Sequence, residues 1–181
     1  MRSFILASIG YALFASSVGA LEPVPAPVQA AEPAPLRTDF DRLKSLTGEW
    51  IDVIGSSAGK GKVAAIYRIT SGGSVVQETL FPGTSHEMVS MYTAKDGEIV
   101  MSHYCAMGNQ PRMRASVSSD NTLNFAFDGG GVTDPGKDMH MHNGLIRFDD
   151  SDHIHAEWQI WENGAAGDHK AQFTLQRKAK G

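Results

Sequence analysis

The sequence contains one cysteine, Cys105, in 181 residues, so no disulfide can form within the chain. Basic residues are also few, because 16 Lys and Arg stand against 20 Asp and Glu, giving a formal net charge of −4. This acidic balance argues against nucleic acid or an anionic membrane surface as a partner. Because the chain has no internal disulfide, a packed hydrophobic core must supply the stability that disulfides give to many small secreted domains.

Long apolar runs are confined to the N-terminus. Arg2 precedes an uncharged, mostly apolar segment at 4–18, and Val18-Gly19-Ala20 offers small residues for cleavage. A spanning helix needs about 20 apolar residues, and the shorter run is typical of an export signal. We therefore predict a signal peptide at 1–20, with Val28-Gln29-Ala30 as an alternative cleavage site. The protein would be exported, periplasmic or secreted, with no stable membrane span after cleavage.

Prolines are unevenly distributed. Residues 21–36, "LEPVPAPVQAAEPAPL", contain five of the eight prolines together with several alanines. Such a segment favours extended polyproline conformation and cannot bury apolar surface, so it is predicted to be a tether. The remaining residues, 37–181, have the length of a single domain.

Helical periodicity is scarce. Only 38–46 predicts a short helix, with Thr38 as its cap and acids in its first turn. Beyond it, short apolar and aromatic runs alternate with Gly, Asp, Asn and Ser clusters, as in antiparallel strands. The runs lie at about 48–54, 62–70, 74–81, 87–93, 98–106, 112–118, 122–127, 139–148, 153–162 and 170–178. This order predicts an all-β fold: an antiparallel up-and-down barrel of about ten strands with the helix at its closed end.

The connections between these runs differ at the two ends of the predicted barrel. One end collects short polar turns, "TSGGS", "AKDG", "SSDN" and "DDSD". The other collects longer glycine-rich connections that include Pro82, Pro111 and Pro135. Function concentrates in loops held by a rigid scaffold. We therefore expect the longer connections to form an open mouth that takes a ligand.

Three residues at the plain end resemble the calycin superfamily, the lipocalins and related barrels. They are Gly48 and Trp50, in a Gly-x-Trp motif that follows the helix, and Arg177 in "FTLQRK". The resemblance implies that Trp50 and Arg177 stack at the closed end, a structural role. Ten strands and the absence of a final helix bring the chain nearer to fatty-acid-binding proteins and haem-binding nitrobindins than to classical lipocalins.

The segment "SHYCAMGNQPRM" carries most of the candidate ligand-binding residues. The two-residue Asp96-Gly97 turn pairs the flanking strands so that His103 faces Ser90 and Cys105 faces Met88. Cys105 lies two residues from His103, about 6–7 Å along the strand, so His103 does not activate it as a nucleophile. The other candidates lie at the predicted mouth: His86, Asn109, Gln110 and Arg112. Arg112 offers a fixed cationic fork for a carboxylate or phosphate.

Two histidine pairs suggest a metal site. His140 and His142 lie on one predicted strand, and His153 and His155 on the next. With "DDSD" as the turn, Phe148 pairs with His153, His140 faces Trp161, His142 faces Gln159, and Glu157 faces Gly144. His155 is then about 13 Å from the position opposite His142, at ~3.3 Å per residue. Zinc–nitrogen bonds near 2 Å exclude a four-histidine site in this hairpin, and His140 and His142 remain candidate mouth residues.

Three functions follow from these patterns. The first is a lipocalin-like barrel that binds a small, partly apolar molecule through its open end. The second is a haem or metal site built from mouth histidines. The third is an acid–base enzyme in which Glu87 or Glu157 polarises a mouth histidine. The sequence shows no nucleophile–base–orienter arrangement, names no catalytic residue, and leaves activity, cofactor and metal open.

Overall fold

The structure, a computed structural model, describes residues 38–117 and 121–179. The predicted signal peptide at 1–20 and the predicted tether at 21–36 lie outside the described residues. Within the described ranges, no helix has the length and hydrophobicity that crossing a membrane requires.

The α-helix α1 (Asp39–Ser45) begins with a capping box. The Thr38 hydroxyl accepts the Asp41 N–H at 3.2 Å, and the Asp41 carboxylate accepts the Thr38 N–H at 3.2 Å. These bonds satisfy donors that the first helical turn leaves unpaired. Leu43, on the opposite face, is fully buried in the barrel core, which fixes the helix to the barrel.

Ten antiparallel strands form a closed barrel, as the sequence predicts. Each strand pairs with its neighbours in the chain, and β10 pairs with β1 to close the circle. Closure leaves no unpaired strand edge. The strands are β1 (Gly48–Asp52), β2 (Val63–Thr70), β3 (Val75–Leu80), β4 (Met88–Lys95), β5 (Glu98–Tyr104), β6 (Gln110–Val117), β7 (Thr122–Gly131), β8 (His140–Phe148), β9 (His153–Glu162) and β10 (Ala165–Arg177).

The closed end is fastened by Trp50 and Arg177, which pair across β1 and β10. The Arg177 guanidinium carbon lies 4.4 Å from the centre of the Trp50 ring, and the fully buried indole donates to the Leu46 carbonyl at 2.7 Å. Arg177 also donates to the carbonyls of Ser45 and Thr47. The three residues of the calycin resemblance are therefore together at this end, and the barrel is compatible with a calycin-like fold.

Side chains fill the barrel interior above this end. Alternate residues of each strand point inward, so aromatic rings from distant strands meet. Phe125 lies between Tyr92 and Trp158, with ring-centre distances of 5.8 and 5.6 Å. The largest enclosed side chains also include Tyr67, Phe173, Met101, Met113 and Leu123. Side chains therefore fill the closed end of the interior, and the longer connections lie at the opposite end.

Candidate functional site: an apolar mouth pocket over a polar layer

A pocket of about 510 Å³ opens at the mouth of the barrel. This volume falls within the ~300–1,000 Å³ typical of small-molecule sites. Its walls come from the β1–β2, β3–β4 and β5–β6 connections and from β4 and β9, and they are mainly apolar. The lining residues are Ser57, Ala58, Phe81, Thr84, His86, Met88, Cys105, Ala106, Met107 and Ile160.

Three lining residues stand directly above buried polar side chains. Residues two apart on a strand share a face. Ser90 therefore lies one step deeper than Met88, His103 one step deeper than Cys105, and Trp158 one step deeper than Ile160. Ser90, His103 and Trp158 are all essentially inaccessible to solvent. The pocket consequently has apolar walls and polar groups in the layer beneath them.

This deeper layer contains a row of polar residues that crosses four strands. Tyr67 pairs with Glu78, Glu78 with Ser90, and Ser90 with His103. Glu78 is 1% exposed and accepts the hydroxyls of Tyr67 at 2.6 Å and Tyr92 at 2.8 Å. Burial raises the pKa of Glu78, against the opposing effect of hydrogen bonds from the two tyrosines and Ser90. Burial and the Glu78 charge raise the pKa values of both tyrosines, which keeps them protonated.

His103 ends this row. Its Nδ1 lies 3.0 Å from the Ser90 hydroxyl, and burial lowers its pKa from 6.5 to about 4, so the ring is neutral at neutral pH. With Glu78 ionised, the Ser90 hydroxyl donates to that carboxylate. Ser90 then accepts from His103 Nδ1–H, which leaves Nε2 as a hydrogen-bond acceptor.

Two nitrogens in this layer have no hydrogen-bond partner among the described residues: His103 Nε2 and Trp158 Nε1. An unsatisfied buried polar group costs about 1–3 kcal/mol, and folded proteins leave few of them. The indole N–H is a donor only, whereas Nε2 accepts in the tautomer derived above. Among the described residues, the layer below the pocket therefore contains one unpartnered donor and, with Glu78 ionised, one unpartnered acceptor.

Asp52 organises one wall of the pocket. Its carboxylate is fully buried and accepts four backbone N–H groups of the β1–β2 connection, at 2.8–3.3 Å. The donors are Ile54, Gly55, Ser57 and Ala58. The Ser57 hydroxyl also donates to the Gln172 carbonyl at 2.8 Å, which ties the connection to β10. Ser57 and Ala58 are thereby held where they line the pocket.

The predicted ligand-binding residues are not all in one place. His86 is exposed in the β3–β4 connection and lines the pocket, and His103 lies in the layer beneath it. Asn109 donates to the Met139 carbonyl at 2.7 Å, joining two mouth connections. Gln110 is exposed and pairs with Gly131. Arg112 is exposed and forms an ion pair with Asp128 at 3.3 Å, so its charge is already partnered.

His140 and His142 belong to a separate cluster on β7, β8 and β9. His140 is fully buried, with Nδ1 2.7 Å from the Asp138 carbonyl and Nε2 2.9 Å from His142 Nδ1. His142 stacks on Trp161 with ring centres 3.7 Å apart, and burial and His140 lower its pKa. Neither ring is among the pocket's lining residues. Within the described ranges, no three His, Cys, Asp or Glu side chains form a metal-binding group.

The β8–β9 register differs in part from the prediction. His140 faces Trp161 as expected, but Phe148 pairs with Ile154, Glu157 with Leu145 and Gln159 with Asn143. The predicted pairings of Phe148 with His153, Glu157 with Gly144 and His142 with Gln159 were therefore wrong. A β-bulge between Met141 and Asn143 compensates for the one-residue difference and leaves His142 outside the ladder. A bulge adds one residue to one strand only.

The carboxylates proposed for acid–base chemistry are bonded elsewhere. Glu87 accepts the Gly83 N–H at 2.6 Å, within its own connection. Glu157 accepts from His155 at 3.0 Å and lies 3.6 Å from Lys170. Both contacts lie outside the mouth pocket. The structure therefore supplies no pairing of these carboxylates with a mouth histidine.

Trp158, Glu78 and Asp52 are functional candidates that the sequence pattern does not single out. Alternation places Trp158 and Ile160 on one face, but the pattern does not show which face is inside. Glu78 is flanked by Gln77 and Thr79 and looks like a solvated position. The turn-forming segment after Asp52, "VIGSSAG", was the available signal, since buried aspartates often accept backbone N–H groups in such turns.

Comparison of the sequence with known protein families and with curated proteins finds no match.

Proposed function

We propose that this protein binds a small, mainly apolar molecule that carries a hydroxyl group in the pocket at the open end of its barrel. The observation that carries the proposal is the pair of unpartnered nitrogens, His103 Nε2 and Trp158 Nε1, beneath an apolar pocket. A hydroxyl donates to the acceptor and accepts from the donor. The hydrocarbon part of the molecule would contact Phe81, Met88 and Ile160.

Charge and exposure favour an uncharged headgroup. Arg112 is already paired with Asp128, and burial keeps His103 neutral. A buried carboxylate without a cation would carry a large desolvation cost. An alcohol avoids that cost while making the same hydrogen bonds. Haem is a weaker candidate, because His140 and His142 bond each other and neither lines the pocket.

The test uses ligands with one hydrocarbon chain and different ends: decanol, decyl methyl ether and decane. Decanol offers a donor and an acceptor, the ether offers only an acceptor, and the alkane offers neither. Calorimetric titration of the purified protein should rank affinity in that order. Each hydrogen bond is worth about 0.5–1.5 kcal/mol net, or up to about tenfold in affinity.

Two variants assign the hydrogen bonds. Trp158→Phe should remove the advantage of the ether over decane, and His103→Leu should remove the advantage of decanol over the ether. Arg112→Ala is the control, since its side chain pairs with Asp128 outside the pocket. Circular dichroism establishes that each variant is folded. Equal binding of the three ligands by the unaltered protein would contradict the proposal.

We further propose that the barrel acts outside the cytoplasm, on the strength of the export-signal pattern at 1–20. Mass spectrometry of the protein recovered from the producing cells tests this. A mature chain that begins at Leu21 or Ala31 supports export, and an intact N-terminus in the cytoplasmic fraction contradicts it.

A further inference from the structure

Four soft or borderline metal ligands lie on the wall of one pocket. Cys105 and Met107 come from the β5–β6 connection, Met88 from the start of β4, and His86 from the connection before it. One residue separates Cys105 from Met107, and one residue separates His86 from Met88. Thiolate, thioether and imidazole groups together form a donor set that suits a soft monovalent cation such as Cu(I). We infer that Cys105 and Met88, with Met107 or His86 completing the set, form a Cu(I)-binding site.

The two sulfur atoms have the separation that a shared metal requires. Cys105 Sγ lies 3.8 Å from Met88 Sδ. Two sulfurs bound to one ion at about 2.3 Å each, with a tetrahedral angle between the bonds, lie about 3.8 Å apart. The observed separation of this pair is therefore compatible with one ion bound by both sulfurs.

The surroundings suit a soft ion rather than a hard one. Carboxylates and carbonyls are the ligands of Mg²⁺ and Ca²⁺, and the lining residues of this pocket include no Asp or Glu. Cys105 is half-buried, whereas His86 and Met107 are exposed at the entrance. An arriving ion would thus meet the exposed outer ligands first and the inner sulfur pair afterwards. The thiol gives up its proton on binding, so each bound ion releases one proton and its oxidation state is unchanged.

This site goes beyond the alcohol-binding function. It shares the pocket and Met88 with the proposed alcohol site, but the polar atoms that decide the two proposals differ. The alcohol proposal depends on His103 Nε2 and Trp158 Nε1, and the metal proposal on the two sulfurs. Decanol binding and Cu(I) binding are therefore measured separately on the same preparations. Failure of one leaves the result for the other intact.

The test is an anaerobic competition for Cu(I) between the purified protein and the coloured chelator bicinchoninate. The unaltered protein should withdraw one equivalent of Cu(I). Cys105→Ser and Met88→Leu should each lower the affinity by at least the roughly tenfold that loss of an outer-shell partner costs. Met139→Leu is the matched control, since it removes another exposed mouth methionine outside the pocket and should bind as the unaltered protein does.

X-ray absorption of the copper-loaded protein gives a second readout that does not depend on the variants. At least two sulfur neighbours at about 2.3 Å are expected. The inference is overturned if the protein cannot compete with bicinchoninate, or if the spectrum contains fewer than two sulfur neighbours. It is also overturned if Met88→Leu binds as tightly as the unaltered protein, because the thiol would then bind metal without the thioether.

Discussion

The indole of Trp158 lies directly over the backbone of Gly144, its partner on the neighbouring strand. A Cβ atom at position 144 would be 2.2 Å from Trp158 Cε3 and 2.4 Å from the Glu157 carbonyl oxygen. Only glycine leaves room for the ring in this position. The missing side chain of Gly144 therefore sets where the indole N–H lies in the layer below the pocket.

Gly144→Ala should accordingly destabilise the protein and displace Trp158. Overpacking of a core position costs about 1–3 kcal/mol, and urea unfolding measures this cost. Gly136→Ala is the control, since its Cβ would meet only the Asp134 side chain at 3.3 Å in an exposed connection. Equal stability of Gly144→Ala and the unaltered protein would show that the ring can move without cost.

The buried His103 should make stability depend on pH. Its pKa is lowered by burial to about 4, so the unfolded chain binds the proton more readily below about pH 6.5. The contribution of the neutral His103 ring to the free energy of unfolding is fully present above about pH 6.5. It is lost as the pH falls towards 4. The free energy of unfolding lost over this interval is on the order of 3 kcal/mol.

Urea unfolding between pH 7 and 4, with a copper chelator present, measures this effect. The unaltered protein should lose more free energy of unfolding than His103→Leu over that interval. His169→Leu removes an exposed histidine on β10 and should behave like the unaltered protein. Parallel stability curves for the unaltered protein and His103→Leu would contradict the assignment.

Arg177 should matter for stability and not for the pocket. Its guanidinium donates to carbonyls at both ends of the short turn after α1 and to Ser151 and Asp152 in the β8–β9 connection. Arg177→Ala should lower the free energy of unfolding by about 2–4 kcal/mol. Arg177→Lys should restore only part of that loss, because an ammonium lacks the planar fork.

Decanol affinity of the folded Arg177 variants provides the contrasting readout. It should match that of the unaltered protein, since this residue lies at the closed end. A large loss of affinity with intact circular dichroism would mean that the two ends of the barrel are coupled.

Asp52→Ala should loosen the pocket wall without unfolding the barrel. Four backbone N–H groups lose their acceptor, so hydrogen exchange at Gly55 and Ala58 should accelerate. Exchange in the β4–β5 hairpin should be unchanged, and decanol affinity should fall. Asp168→Ala, an exposed position on β10, is the control. Unchanged exchange at Gly55 and Ala58 would contradict the anchoring role of Asp52.

The Ser90–His103 pairing was predictable because a tight turn determines the register of its hairpin. Only Asp96 and Gly97 separate β4 from β5, and both adopt the positive φ that such a turn needs, 53° and 84°. The β8–β9 pairing was harder to predict from the sequence. There the bulge at His142 depends on packing against Phe127 and Trp161, which come from two other strands.

The closed end and the open end also differed in how much the sequence revealed. Trp50 and Arg177 are close in space because β1 and β10 close the barrel, and their motif indicates that closure. Trp158 and Glu78 become notable only once the inward face is known. Glu78 reads as a solvated residue until Tyr67 and Tyr92 are seen to donate to it from the two flanking strands.

Methyl NMR of the methionine-labelled protein during a decanol titration tests the central claim most directly. The pocket is lined by Met88 and Met107, whereas Met139 and Met141 flank the histidine cluster. Binding in the pocket predicts saturable shifts of the Met88 and Met107 methyl signals, with smaller changes at Met139 and Met141. Shifts confined to Met139 and Met141, or no saturable shift at Met88 and Met107, would contradict it.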